Sequence, residues 1–175
     1  MTGKRKYIIS FRGLSIGKHE YEYSLTDKFF EDLAYSEVKK GNVRVDVRLN
    51  KQTTMLILEF VVRGSVDLPC DRCGDDCNLK VTGQYQLFVK PHGVSDTTDE
   101  EDMVVLSLND GELDIAHHLY EYVILSIPAK RVHEREGDCN QEVIEKLKEI
   151  EHTGNEDMGP SDGRWDALKN LKFNN

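Results

Sequence analysis

Leu68-Pro69-Cys70-Asp71-Arg72-Cys73-Gly74-Asp75-Asp76-Cys77 holds three of the chain's four cysteines within eight positions. Apolar alternation enters this stretch through Val66 and Leu68 and leaves it through Leu79, Val81, Tyr85, Leu87 and Val89. A strand, then Cys-x-x-Cys-Gly, then a strand is the sequence form of a zinc knuckle. A tight turn points the sulfurs of Cys70 and Cys73 toward one centre, and Gly74 lets the backbone bend back so that amide hydrogens face them. The stretch predicts a hairpin with metal-ligand chemistry at its tip.

Working back from the knuckle, Met55 to Val62 is a nearly unbroken apolar run, suited to the middle of a sheet. Val43, Val45, Val47 and Leu49 alternate with Arg44, Asp46, Arg48 and Asn50, and Asn50-Lys51-Gln52 reads as the turn between the two runs. Tyr21, Tyr23 and Leu25 alternate with Glu20, Glu22 and Ser24, and Tyr7 to Phe11 reads as a first short strand. Between Leu25 and Val43, Thr26 or Asp27 caps a helix with Phe29, Phe30, Leu33 and Ala34 on its buried stripe, and Gly41-Asn42 breaks it.

Beyond the outgoing strand, Pro91 to Glu112 carries Asp96, Asp99, Glu100, Glu101, Asp102, Asp110 and Glu112 with no Lys or Arg. It reads as a solvated acidic loop or as a lure for a basic partner, interrupted by a brief strand at Met103 to Leu106. From Glu112 to Ile127, Leu113, Ala116, Tyr120, Val123 and Ile127 recur at helical spacing until Pro128 stops the helix. His117 and His118 on this helix read as surface or core-edge residues. Gln141 to Glu151 forms another short helix, with Val143, Ile144, Leu147 and Ile150 facing inward. His152 to Gly163 reads as linker, and Trp165, Leu168 and Leu171 mark a terminal helical turn.

These elements define an α+β fold: an antiparallel sheet or partly closed β-barrel in the N-terminal half, with helices from the C-terminal half packed against it. The expected organisation is one domain over residues 1–152, then a linker and short helical segment over 153–175. No apolar run approaches the roughly 18 residues of a membrane span, and the N-terminus lacks the features of a signal peptide. The sequence thus predicts a cytoplasmic protein, in which cysteines serve as metal ligands or free thiols rather than disulfides. A net charge of -9 argues against a general phosphate-binding surface and suits a basic protein partner.

A tetrahedral zinc site needs four ligands, and the knuckle supplies two or three. Cys77 is near in sequence but already on the outgoing strand, where its side chain could point away. His133 and Cys139, on the loop after the proline-terminated helix, would complete a Cys3His set and tie the β half to the helical half. Four protein ligands leave no place for a substrate water, so such a site is structural. Arg72, between the two knuckle cysteines, would either offset their negative charge or reach a phosphate.

In order along the chain stand Cys70-Asp71-Arg72-Cys73 after a β-rich half, an acidic loop, and a helix ending in Leu125-Ser126-Ile127-Pro128. A C-terminal Arg164-Trp165-Asp166-Ala167-Leu168-Lys169-Asn170-Leu171 follows. This arrangement resembles the YceD family, described as large-subunit ribosomal RNA accumulation proteins. Many members carry the Cys-x-Arg-Cys pair and a second cysteine-rich cluster after the helix, reduced here to His133 and Cys139. Cys77 matches no position of that pattern. The resemblance therefore favours Cys70, Cys73, His133 and Cys139 as ligands of a structural zinc, with Cys77 spare.

The resemblance implies a non-enzymatic factor in large-subunit ribosomal RNA accumulation or ribosome assembly, binding a basic ribosomal protein or pre-ribosomal RNA. The alternatives are a zinc-stapled interaction domain with no ribosomal role and an RNA-processing enzyme. No nucleophile elbow, Walker loop, dinucleotide fingerprint or His-Glu-x-x-His occurs, so no catalytic residue is assigned.

Overall fold

The structure, a computed structural model, describes residues 4–91, 103–106 and 111–154. The chain divides into two compact units, Met1–His133 and Glu134–Asn175. Most of the acidic loop and the terminal helical turn at Trp165 lie outside the described residues.

The first unit is built on the alternation of its strands. β1 (Ile8–Ser10), β2 (Gly17–Leu25), β3 (Lys40–Lys51), β4 (Leu56–Pro69), β5 (Asp76–Pro91), β6 (Met103–Leu106) and β7 (Glu112–Asp114) follow in chain order. β2 to β6 form a five-stranded sheet in sequential order, and β1 pairs with β7 in a separate ribbon. Pairing is antiparallel through β5, whereas β6 joins β5 in parallel, Phe88 opposite Met103. The register places Val45 opposite Val62, Val47 opposite Phe60 and Leu58 opposite Leu87, so apolar residues share one face and are buried. Burying each such side chain stabilises the fold by about 1.5–3 kcal/mol.

That face is covered rather than closed on itself. The sheet is open, with β2 and β6 at its two edges, so the barrel alternative does not hold. Helix α1 (Asp27–Glu31) buries Phe29 and Phe30, and Tyr7 packs its ring on Tyr23 and Phe29. Helix α2 (Ala116–Leu125) lays Tyr122 parallel to Tyr85 of β5, with ring centroids 4.6 Å apart, and against Phe60 of β4 at 4.8 Å. These layers satisfy the apolar face without barrel closure.

Glycine decides two close approaches. At Gly83 an added Cβ would stand 2.5 Å from Ser126 Oγ, so a bare backbone on β5 admits the end of α2. At Gly64 an added Cβ would collide with the backbone of β3 at Asn42 and Val43.

Several local expectations change. α1 ends at Glu31, so Ala34 lies past the helix and is exposed rather than on a buried stripe. Gly41 does not merely break a helix: it lies in β3, and its N–H donates to Asp27 Oδ1 at 2.8 Å, tying α1 to the sheet. Glu112 to Asp114 is a strand and not the first turn of the helix, because β1 supplies its hydrogen-bonding partner.

The second unit contains a 3-10 turn at Glu136–Asp138 and helix α3 (Gln141–Gly154). Gln141 folds back over the turn, its Nε2 donating to the Cys139 carbonyl at 2.9 Å. Among the described residues, no helix is long and apolar enough to cross a membrane.

Candidate metal centre

The turn between β4 and β5 begins where Pro69 pairs with Asp76. Cys70 N–H then donates to the Asp75 carbonyl at 2.8 Å, and Gly74 N–H donates to the Cys70 carbonyl at 2.9 Å. Gly74 has φ +83, in the left-handed region that a side chain disfavours, which explains the glycine after Cys73. The turn aims the Arg72 N–H at Cys70 Sγ, 3.4 Å away, as a knuckle requires. Arg72 thus contributes to the site through its backbone.

His133 meets this turn within the first unit. Its Nδ1 lies 3.6 Å from Cys73 Sγ. The donor atoms of Cys70, Cys73 and His133 all lie within 4.8 Å of one another. Tetrahedral zinc with its usual Zn–S and Zn–N bond lengths would set a sulfur and a nitrogen about 3.6 Å apart, so the observed spacing fits. The donor set, two thiols and an imidazole, also suits zinc. Cys70 and Cys73 are buried, His133 is partly buried, and all four cysteines are free of disulfides.

The clasp that brings His133 here is Asp71. Asp71 N–H donates to the Arg131 carbonyl at 2.7 Å, and Arg131 N–H donates to Asp71 Oδ2 at 2.9 Å. The Arg131 guanidinium also stands 3.7 Å from the Glu37 carboxylate. Two hydrogen bonds across 60 residues of chain thus fix the segment that ends in His133 against the knuckle. Sequence reasoning missed both Asp71 and Arg131. An Asp inside a Cys-x-x-Cys loop is ordinary turn chemistry, and nothing in sequence marks its distant partner.

The electrostatics prepare Cys70 for a cation. Burial alone would raise its thiol. The backbone N–H groups of Cys73, Arg72 and His133 and the His133 ring outweigh that burial and bring it down to about 6. That lowering favours the Cys70 thiolate, the form that binds metal.

Cys77 does not point away. It lies on β5 opposite Leu68 and is buried near Cys70. Burial, with the proximity of Cys70, pushes its thiol up. Cys139 belongs to the second unit, where its N–H donates to the Glu136 carbonyl at 3.1 Å. His117 and His118 stay outside the centre: both face Glu121, at 2.9 and 3.3 Å, and His117 also meets the Tyr35 hydroxyl.

Fold and site together define an α+β protein whose central hairpin carries a candidate Cys-Cys-His metal knuckle. A family model described as Large ribosomal RNA subunit accumulation protein YceD matches residues 58–172, from the start of β4 through the knuckle and both later helices. The chain belongs to the YceD family. No curated protein and no solved structure matches it.

Proposed function

We propose that the protein is a non-enzymatic factor in large-subunit ribosomal RNA accumulation, acting in the cytoplasm during ribosome assembly and stapled by one structural zinc. The family match over residues 58–172 carries the ribosomal reading. The metal reading rests on the convergence of Cys70, Cys73 and His133. Cys139 is the proposed fourth ligand. Six residues of chain after His133 span at most about 20 Å, so Cys139 is tethered within reach of the knuckle. Bound zinc would supply cross-linking and charge balance, and with four protein ligands it would hold no reactive water.

The favoured partner is a basic ribosomal protein rather than bare RNA. The chain's net charge is -9. On the outward face of the sheet, Arg44 pairs with Glu22 and Asp46, Arg48 with Glu20, and Arg63 with Asp46. These arginines face carboxylates, and a face of alternating sign does not attract a phosphate backbone.

Native cells lacking the protein test the role directly. Large-subunit ribosomal RNA should fall relative to small-subunit RNA, and an unchanged ratio would refute the role. Capture of the tagged protein, with and without nuclease, tests the partner. A basic ribosomal protein recovered in both halves and released by salt is expected. Ribosomal material only in the untreated half would replace the protein partner with RNA.

A further inference from the structure

On the outward face of the sheet, Ile57 of β4 stands directly opposite Phe88 of β5, and both are only half-buried. Val61, further along the same face of β4, is half-buried as well. Glu59 lies between Ile57 and Val61, exposed, with Arg48 opposite it on β3 and Gln86 opposite it on β5. Two adjoining hollows share Arg48, Glu59 and Gln86, so they form one trough, with Gln84 at its far end. From Ile57 to Val61 it runs about 13 Å at the usual strand rise, room for about four residues of extended chain. The charges here are unevenly matched. Arg48 faces Glu59 in register, yet its guanidinium turns to Glu20, 3.6 Å away. Arg44 and Arg63 are taken up by Glu22 and Asp46. Among the described residues, no ion pair or hydrogen bond reaches the Glu59 carboxylate. Lys18 also borders the trough, but on the edge strand two strands away, roughly 10 Å by sheet spacing.

We propose, resting on the partner reading above, that this trough is the docking surface for the basic protein partner. An extended segment of the partner seats an arginine on Glu59 and an apolar side chain on Ile57 and Phe88. A guanidinium brings five N–H donors, enough for the carboxylate and the amide oxygens of Gln84 and Gln86, and its stem covers apolar floor. The same carboxylate repels a phosphate backbone. A second feature adjoins the trough. The loop between β1 and β2 is held from several sides. Lys51 Nζ donates to the Phe11 and Leu14 carbonyls at 2.9 and 2.7 Å, and Leu14 N–H donates to the Phe11 carbonyl at 3.2 Å. His19 Nε2 donates to the Ser15 carbonyl at 2.9 Å. Ile16, at the end of this loop, is 69% exposed, and Gly17 and Lys18 lead from it into the trough. An apolar side chain fixed in advance costs a partner little ordering, so Ile16 is the second anchor of the surface.

The test titrates isotope-labelled full-length protein with a short synthetic peptide alternating arginine and valine, followed by NMR. Side-chain amide signals of Gln84 and Gln86 and backbone signals of residues 57–61 should shift, together with Ile16. E59Q should weaken peptide binding roughly threefold to fivefold, the value of one surface ion pair, and E59K about tenfold or more. I16S should weaken it as well. All three changes fall on exposed side chains, so the fold should persist. Shifts confined to the acidic run at residues 96–102, or equal affinity of wild type and E59K, would overturn the proposal. Shifts at Gln84 and Gln86 caused by polyuridylate and not by the peptide would overturn it in favour of RNA. Capture from native cells separates the face from the partner reading. A basic ribosomal protein recovered with wild type and with E145K, on exposed α3, but not with E59K is expected. Equal recovery with E59K would overturn the docking face and leave the partner reading standing. No ribosomal protein with wild type would refute the partner reading, while the titration still decides whether the face takes a basic segment.

Discussion

Replacing Asp71 by alanine should weaken zinc binding while leaving every proposed ligand in place. The carboxylate accepts the Arg131 N–H at 2.9 Å, and it is one of two hydrogen bonds that hold the His133 segment against the knuckle. A hydrogen bond to a charged group contributes about 1.5–3 kcal/mol when sheltered. Asp71 is exposed, so solvent screening brings the expected loss to about 1–2 kcal/mol. If that ordering falls on the bound state, zinc affinity drops roughly 5- to 30-fold. The figure agrees with the 10- to 100-fold losses, to order of magnitude, that follow removal of groups orienting metal ligands. Competition with a chromophoric chelator measures it, with far-UV circular dichroism confirming the fold. D71N keeps an acceptor oxygen and should lose less, and E59A, on the outward face of the sheet, should lose nothing. A D71A protein that folds normally and binds zinc within about two-fold of wild type would refute the clasp.

G64A should lose about 3 kcal/mol of stability, because the new methyl meets the β3 backbone, 2.6 Å from Val43 Cα, and backbone cannot rotate aside. A denaturant midpoint unchanged from wild type would contradict that packing. Y122A should cost about 3–5 kcal/mol, since it removes the ring stacked on Tyr85 and tilted against Phe60, and chemical denaturation reads it directly. Y23F should blunt alkaline unfolding. Burial, with a smaller effect from Tyr21, pushes the Tyr23 hydroxyl from 10.0 up to about 12. Because the folded value is the higher, the neutral phenol's contribution is complete below pH 10 and is lost as pH rises through about 12. Phenylalanine cannot ionise, so an equally steep loss of stability over that window in Y23F would show that Tyr23 is not responsible.

What could be read in sequence was what local pattern encodes. The alternation of Val43 to Leu49 fixed which face of β3 is buried, and Cys70-x-x-Cys73-Gly74 fixed the knuckle, because Gly74 performs a backbone task that can be read at one position. What escaped depended on partners distant in the chain. Leu113 lies in the ribbon with β1 because Ile9 is opposite it, yet its spacing with Ala116 and Tyr120 equally suits a helix. Ala34 fell outside α1 because a five-residue helix ends before its apolar spacing does. Cys77 was ambiguous because strand position alone gives a face, and the diagonal approach to Cys70 appears only once the hairpin register is known. Arg131 meets Asp71 through its own backbone N–H and carbonyl, which leave no mark on its residue type.

Zinc K-edge X-ray absorption on protein purified without chelator, with thiols kept reduced, tests the central claim most directly. About one zinc per chain is expected, in a four-coordinate shell of three sulfurs near 2.3 Å and one nitrogen near 2.0 Å. C73S should reduce the sulfur count or abolish binding. Protein that carries no zinc, or zinc in a shell of oxygen and nitrogen alone, would contradict it.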